Sequence, residues 1–126
     1  MRRLLVPLVL LVSPLVAQEK QEMRTYILAI LEKGPKWTRE ATPEAKLQLQ
    51  GHFANMSRLH REGKLILAGP LAEAGDAAGI FLLDTDKIEQ AREWCETDPA
   101  IKGGRFQVRL WKWYSAKGIG ILPQAK

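Results

Sequence analysis

The 126-residue chain carries two imidazoles, His52 and His60, both inside the stretch HFANMSRLHREGKLILAGPL. An imidazole can ligate a metal, move a proton near neutral pH, or pack in a core. The two histidines are eight positions apart, which on a helix is about 80° of rotation and roughly 12 Å of rise. Two ligands of one metal on a helix stand three or four residues apart. With a single cysteine and no third histidine in the chain, no metal site is expected. His52 keeps two readings, a general acid/base or a satisfied core histidine. His60, near a helix end, reads as packing, where an imidazolium also complements the C-terminal dipole.

These residues need a scaffold, and the surrounding pattern supplies one. Thr42 can cap a helix, Pro43 suits its first turn and Glu44 suits the positive end of its dipole. The helix then runs to about Glu62 and stops at Gly63. Leu49, Phe53, Met56 and Leu59 form its apolar arc, with His52 and His60 near the two edges. Met23 to Leu31 reads as a strand, as do Lys64 to Ala68 before the turn Gly69-Pro70, Ile80 to Leu83, and Arg105 to Tyr114. A second helix is expected over Lys87 to Thr97, ended by Asp98-Pro99. Cys95 falls at helical spacing with Ile88 and Ala91, so it reads as a small core residue. The tail KGIGILPQAK offers a short strand extension or a partner contact.

The order strand, helix, strand, strand, helix, strand predicts an α+β fold, a ferredoxin-like plait (βαββαβ) with both helices on one face. Its other face ought to be polar, yet apolar residues fill both sides of the first and third strands. Trp111 and Trp113 likewise oppose Val108 and Leu110. Sheet-to-sheet packing with a second copy, a homodimer, is the simplest cover. Trp111 and Arg109 share that outward face and are expected to line the interface and its cavity. Trp37, in the loop before the first helix, is placed either to lid a pocket or to anchor the surface.

The beginning of the chain belongs to a different class of signal. Residues 1–17 open with Arg2 and Arg3, run apolar from Leu4 to Val12 and end in a small residue, Ala17, before charged Glu19 to Glu22. That is the pattern of a secretory signal peptide, leaving 18–126 as a single domain exported to a periplasm or secreted. The run is short for a membrane span and holds two prolines. The competing reading is an uncleaved anchoring leader; with cleavage, no stable membrane anchor remains. Removing the leader takes Arg2 and Arg3 from 19 basic residues and leaves 17 against 14 acids, so the charge falls from +5 to +3. This mild surplus forms no basic cluster with interleaved aromatics, and nucleic acid is not an expected partner. One cysteine makes no internal disulfide, so the fold must stand on its core.

The run H-F-A-N-M-S-R-L-H-R-E-G-K-L-I-L-A-G-P resembles the central signature of YciI-like (YCII-related) proteins: a first-helix histidine, then H-x-E-G-(K/R)-L-L-x-A-G-P. The segment A-R-E-W-C-E-T-D-P-A-I-K-G-G is similar to the family's second-helix ending, and R-F-Q-V-R-L-W-K to its final strand. The resemblance covers about Met23 to Lys112. It implies a dimeric α/β barrel on the ferredoxin-like plait, with a site pairing His52 and Asp98. A carboxylate held against one imidazole nitrogen fixes the tautomer and supports proton transfer at the other. Gly69 and Pro70 would shape the pocket wall, since a glycine lets the backbone approach a ligand. Without the resemblance, Asp98 is equally a helix-terminating turn residue. Two departures stand out: Arg61 follows the second histidine where some relatives have an acid, and most relatives lack a leader.

Relatives of this barrel include muconolactone isomerases and a dehydrochlorinase of a chlorinated hydroxyquinol. The resemblance therefore implies a small lyase, isomerase or dehalogenase that moves protons on a small organic molecule without a cofactor. A non-catalytic module binding a small ligand or a partner in the dimer cleft is the alternative. A cofactor-free monooxygenase on the same plait has no positive sign in the chain.

Overall fold

A computed structural model describes residues 20–73 and 75–118. The leader expected over 1–17 and most of the tail fall outside these residues. The elements run β1 (Met23–Lys33), α1 (Pro43–Arg61), β2 (Leu65–Pro70), β3 (Ala77–Leu83), α2 (Ile88–Cys95), α3 (Pro99–Lys102) and β4 (Phe106–Ala116). The four strands form one sheet in the order β2-β3-β1-β4, and all three neighbouring pairs are antiparallel. β3 thus lies between β1 and β2, and β1 between β3 and β4. This is the order of a ferredoxin-like plait, so the α+β fold expected from the pattern is the one observed.

Strand periodicity divides the residues between two faces. Ile27, Ala29 and Leu31 of β1 point to the helices and join Phe81 and Leu83 of β3 and Leu65 of β2. Leu59 of α1 and Ala91 and Cys95 of α2 close this core from the other side. Cys95 is fully buried. Burial, with the negative charge of Asp98 adding to it, pushes its thiol up to about 12, so it packs as a small apolar residue. The opposite sheet face carries Tyr26, Leu28 and Ile30, paired in register with Trp113, Trp111 and Arg109. Trp111 is 56% exposed and no described element covers it. Among the described residues no helix is long and apolar enough to cross a membrane.

α1 starts as its sequence implies: Thr42 Oγ1 accepts the Ala45 N–H and Pro43 occupies the first turn. It ends at Glu62, followed by Gly63 with φ +71, a left-handed conformation that favours glycine. Three details depart from the sequence expectation. Gly69-Pro70 does not end β2 but completes it, pairing with Ile80 and Gly79 of a β3 that starts earlier than expected. Pro70 is tolerated because β2 is an edge strand. Asp98-Pro99 does more than end α2: Asp98 caps α3, its Oδ1 accepting the Ala100 N–H at 2.9 Å. The buried line of α1, finally, runs through Ala45, His52, Asn55 and Leu59, leaving Phe53 59% exposed.

α3 explains that rotation. α1 is packed from two sides, by the sheet and by α3, and the second contact falls on Gly51. A Cβ built there would lie 2.7 Å from Pro99 Cγ, closer than real Cβ contacts allow. Glycine inside a helix costs about 1 kcal/mol relative to alanine, and the close approach of α3 is what that cost permits. A Gly51→Ala substitution should therefore destabilise the protein by about 1–2 kcal/mol rather than stabilise it, overpacking outweighing the helix-propensity gain. Urea denaturation measures this as a lower midpoint; a higher midpoint would mean that Pro99 does not press on the helix.

Candidate active site

His52 and Asp98 come from opposite ends of the fold's logic, one from the middle of α1, the other from the cap of α3. The two are 46 residues apart in sequence, yet His52 Nδ1 lies 2.5 Å from Asp98 Oδ2. Asp98 is 0% exposed and His52 8%. A carboxylate so buried must be satisfied. Oδ1 takes the Ala100 N–H and Oδ2 takes the imidazole. An ionised carboxylate only accepts, so Nδ1 carries the proton and donates it. In the neutral ring the lone pair is then on Nε2, which bonds to no described residue.

Aromatic rings hold the imidazole in place. Its centroid is 5.8 Å from that of Phe81, stacked at 20°, 5.5 Å from Phe106 and 5.6 Å from Phe53, edge-on. The three rings come from β3, β4 and α1, so the orientation is fixed from three elements at once. A second polar tie runs parallel to the first. Arg58 Nη2 donates to buried Asn55 Oδ1 at 2.8 Å and to Thr97 Oγ1 at 2.9 Å, while the Thr97 hydroxyl donates to the Trp94 carbonyl at 2.6 Å. Thr97 immediately precedes Asp98, so this tie fixes the turn that presents the carboxylate.

Beside His52 opens a cleft of about 310 Å³ between α1 and the β2–β3 end of the sheet. Phe53, Met56 and Leu49 form its helix wall; Gly69, Pro70 and Phe81 contribute to its sheet wall. Among the described residues, His52 is the one titratable side chain on the lining. The volume lies at the lower end of the range for small-molecule sites. Gly79 has no room for a side chain, since a Cβ there would meet Gly69 O at 2.9 Å. The two glycines let the paired edge strands form a thin wall. Among the described residues no group of three or more His, Cys, Asp or Glu is arranged to hold a metal ion.

Residues 23–114 match the YCII-related domain along nearly the whole length of the sheet and helices just described. The chain belongs to the YCII-related domain family. An uncharacterized protein of Bacillus subtilis, YjpA, is 29% identical over 63 residues, covering 50% of this chain and 72% of its own. Protein YciI of Escherichia coli is 28% identical over 64 residues, which are 44% of this chain and 65% of that protein. A solved structure also resembles it, that of 5-chloro-2-hydroxyhydroquinone dehydrochlorinase from Burkholderia phenoliruptrix in complex with 2,5-dihydroxybenzoquinone. The likeness has a TM-score of 0.45 at 17% identity and covers 69% of this chain and 92% of that one.

Within this YCII-related chain, four of the sequence-derived site residues gather at one place: His52 and Asp98 in contact, Gly69 and Pro70 on the cleft wall. Three stand elsewhere. Arg109 and Trp111 have odd numbers on a strand whose even positions Phe106, Val108 and Leu110 face the helices. They project from the opposite sheet face, and Arg109 Nη2 pairs there with Glu32 Oε1 at 2.8 Å. Trp37 does not lid the cleft. Its ring lies under Lys33 Nζ at 4.5 Å and beside the Arg105 guanidinium at 5.9 Å. His60 was expected at the helix–sheet seam but is exposed, its Nδ1 donating to the Leu65 carbonyl at 3.0 Å.

Sequence reasoning missed the three-phenylalanine cage and the Asn55–Arg58–Thr97 tie. The parity of Phe106 with Val108 and Leu110 was a usable signal for the first. Asn55 carried none, because a polar residue on a helix is ordinarily solvated.

Proposed function

We propose that this protein transfers protons on a small organic molecule bound in the cleft, with His52 as acid and base and Asp98 as the residue that orients it and stabilises its charged form. The observation that carries this reading is the His52–Asp98 contact of 2.5 Å at the wall of an apolar cleft. With Nδ1–H committed to Asp98, Nε2 is the atom that takes a proton from the ligand. The imidazolium so formed faces a carboxylate 2.5 Å away, in surroundings where neighbouring charge acts strongly. Returning the proton to another atom of the ligand gives an isomerisation. Losing it while a leaving group departs with its electron pair gives an elimination. Neither step calls for a redox partner, and a ligand seated against the apolar lining would displace water that competes for the proton.

A second reading has one observation in its favour. Among the described residues the lining offers His52 as its sole titratable side chain, whereas proton shuttling between distant atoms commonly uses two groups. A non-catalytic ligand-binding module would need only the shape and one polar anchor. The two readings separate on a His52→Gln variant, tested with a panel of phenols, quinols and lactones followed in deuterated water. Catalysis predicts that a compound which raises the wild-type melting temperature also exchanges or converts, and that His52→Gln lowers this by about 10²–10⁴-fold while still binding. Conversion unchanged in His52→Gln would remove the imidazole from the mechanism. Binding without conversion by the wild type would place the protein among ligand-binding modules.

Assembly and location complete the proposal. The uncovered sheet face, with Trp111, Trp113 and Leu67 exposed, supports a homodimer joined sheet to sheet. Trp111→Glu would place a charge in that interface, and sedimentation should then find a monomer where the wild type is a dimer. A wild type that sediments as a monomer contradicts the assembly. The basic and apolar pattern of residues 1–17 supports export to a periplasm or the outside. Mass spectrometry of the mature chain tests this, an N-terminus near residue 18 being the expected result and an intact Met1 the contrary one.

A further inference from the structure

Among the described residues, Arg105 is a buried cation without a counter-charge. It is 8% exposed, and no described carboxylate lies within salt-bridge distance, although six such pairs form elsewhere. Its hydrogen bonding is equally incomplete. Nη1 reaches the Thr38 carbonyl and Thr38 Oγ1 only at 3.4 Å each, Nε is buried with no partner among the described residues, and Nη2 bonds to none of them. A guanidinium taken out of water in this state is costly unless something anionic completes it.

The backbone keeps the side chain there. Arg105 O accepts the Gly34 N–H at 2.7 Å and Gly104 O accepts the Lys36 N–H at 2.8 Å. Gly34 and Gly104 touch so closely that a Cβ on Gly34 would fall 2.3 Å from Gly104 O. The guanidinium carbon lies 5.9 Å from the Trp37 ring centroid and 5.8 Å from that of Phe106. The cation is therefore built in, positioned by two loops and two rings.

It borders a small polar recess of about 40 Å³, walled also by Lys36, Thr38, Thr42, Gln48 and Glu44. The recess lies at the first turn of α1, the positive end of a 19-residue helix. Pro43 has no N–H and the Ala45 N–H is taken by Thr42 Oγ1, which leaves the Glu44 N–H free of the cap. Among the described residues Glu44 is the single acid on the wall. Its carboxylate accepts from Gln48 Nε2 at 3.5 Å and makes no ion pair with Arg105.

We propose that Arg105, with Lys36 and Thr38, binds one oxyanion group, a carboxylate or a phosphate, in this recess. The guanidinium fork matches such a group, Lys36 adds a second positive charge, and the volume admits one headgroup rather than a whole metabolite. The site is separate from the cleft: no residue lines both. It is nonetheless adjacent, because Phe106 follows Arg105 directly and stands against His52. An anion seated here would steady the strand start that carries one ring of the cage.

The test is thermal melting of the full-length protein in sodium phosphate or sodium acetate, each compared with sodium chloride of equal ionic strength. The proposal expects a rise of a few degrees in one of the two, phosphate or acetate naming the source of the oxyanion. Arg105→Met should abolish that rise. If that variant does not fold, Lys36→Gln and Thr38→Val should each reduce it. No rise over chloride in either salt overturns the proposal, as does an undiminished rise in Arg105→Met or in both of the other variants. His52→Gln leaves the rise intact, so the result is independent of the proton-transfer reading.

Discussion

Asp98 has no exposed surface, and a carboxylate in that position has to be met by donors or the fold loses several kcal/mol. Much of the helical layer can be understood as the means of meeting it. The Ala100 N–H satisfies one oxygen because Pro99 starts a short helix there. The His52 N–H satisfies the other because α1 lies close enough, and it does so because Gly51 presents no side chain to Pro99. The Asn55–Arg58–Thr97 bonds hold the same turn from one helical turn further along. What stabilises the fold here is also what orients the imidazole.

The sheet does the complementary work. Its inner face carries the core and supplies Phe81 and Phe106 to the imidazole, while the β2–β3 edge forms the thin wall of the cleft. Its outer face carries a different set of apolar groups that never meet the histidine within one chain. Strand alternation therefore separates the cleft and its histidine on one side from an uncovered apolar face on the other.

Much of this was legible in the sequence, for physical reasons that differ between elements. The plait followed from the order of periodic segments, and α1 from its cap and proline. Cys95 followed from its spacing. The contact of His52 with Asp98 did not follow from residue periodicity, because it spans 46 residues; family resemblance carried it. Asp98-Pro99 repeats the grammar of Thr42-Pro43, a capping residue before a proline, and so announced α3 as plainly as α1. It went unread because an Asp-Pro pair also ends helices. That omission propagated. Without α3, the buried arc of α1 was centred on the wrong residues, so Phe53 and His60 were placed too deep. Strand alternation placed Arg109 and Trp111 on the outward face, where they stand, but the partners Lys33 of Trp37 and Glu32 of Arg109 are set by loop and strand geometry that residue type does not encode.

The proposed mechanism stands on one proton: the one on His52 Nδ1, donated in a hydrogen bond to Asp98, which in the neutral ring leaves the lone pair on Nε2. Long-range ¹H–¹⁵N NMR of the imidazoles at a pH where the ring is neutral reads that proton directly. The account predicts the Nδ1–H tautomer for His52, lost to a mixture when Asp98 is replaced by asparagine. A His52 protonated on Nε2 in the wild-type protein would contradict it, for the base would then have no lone pair to offer the cleft.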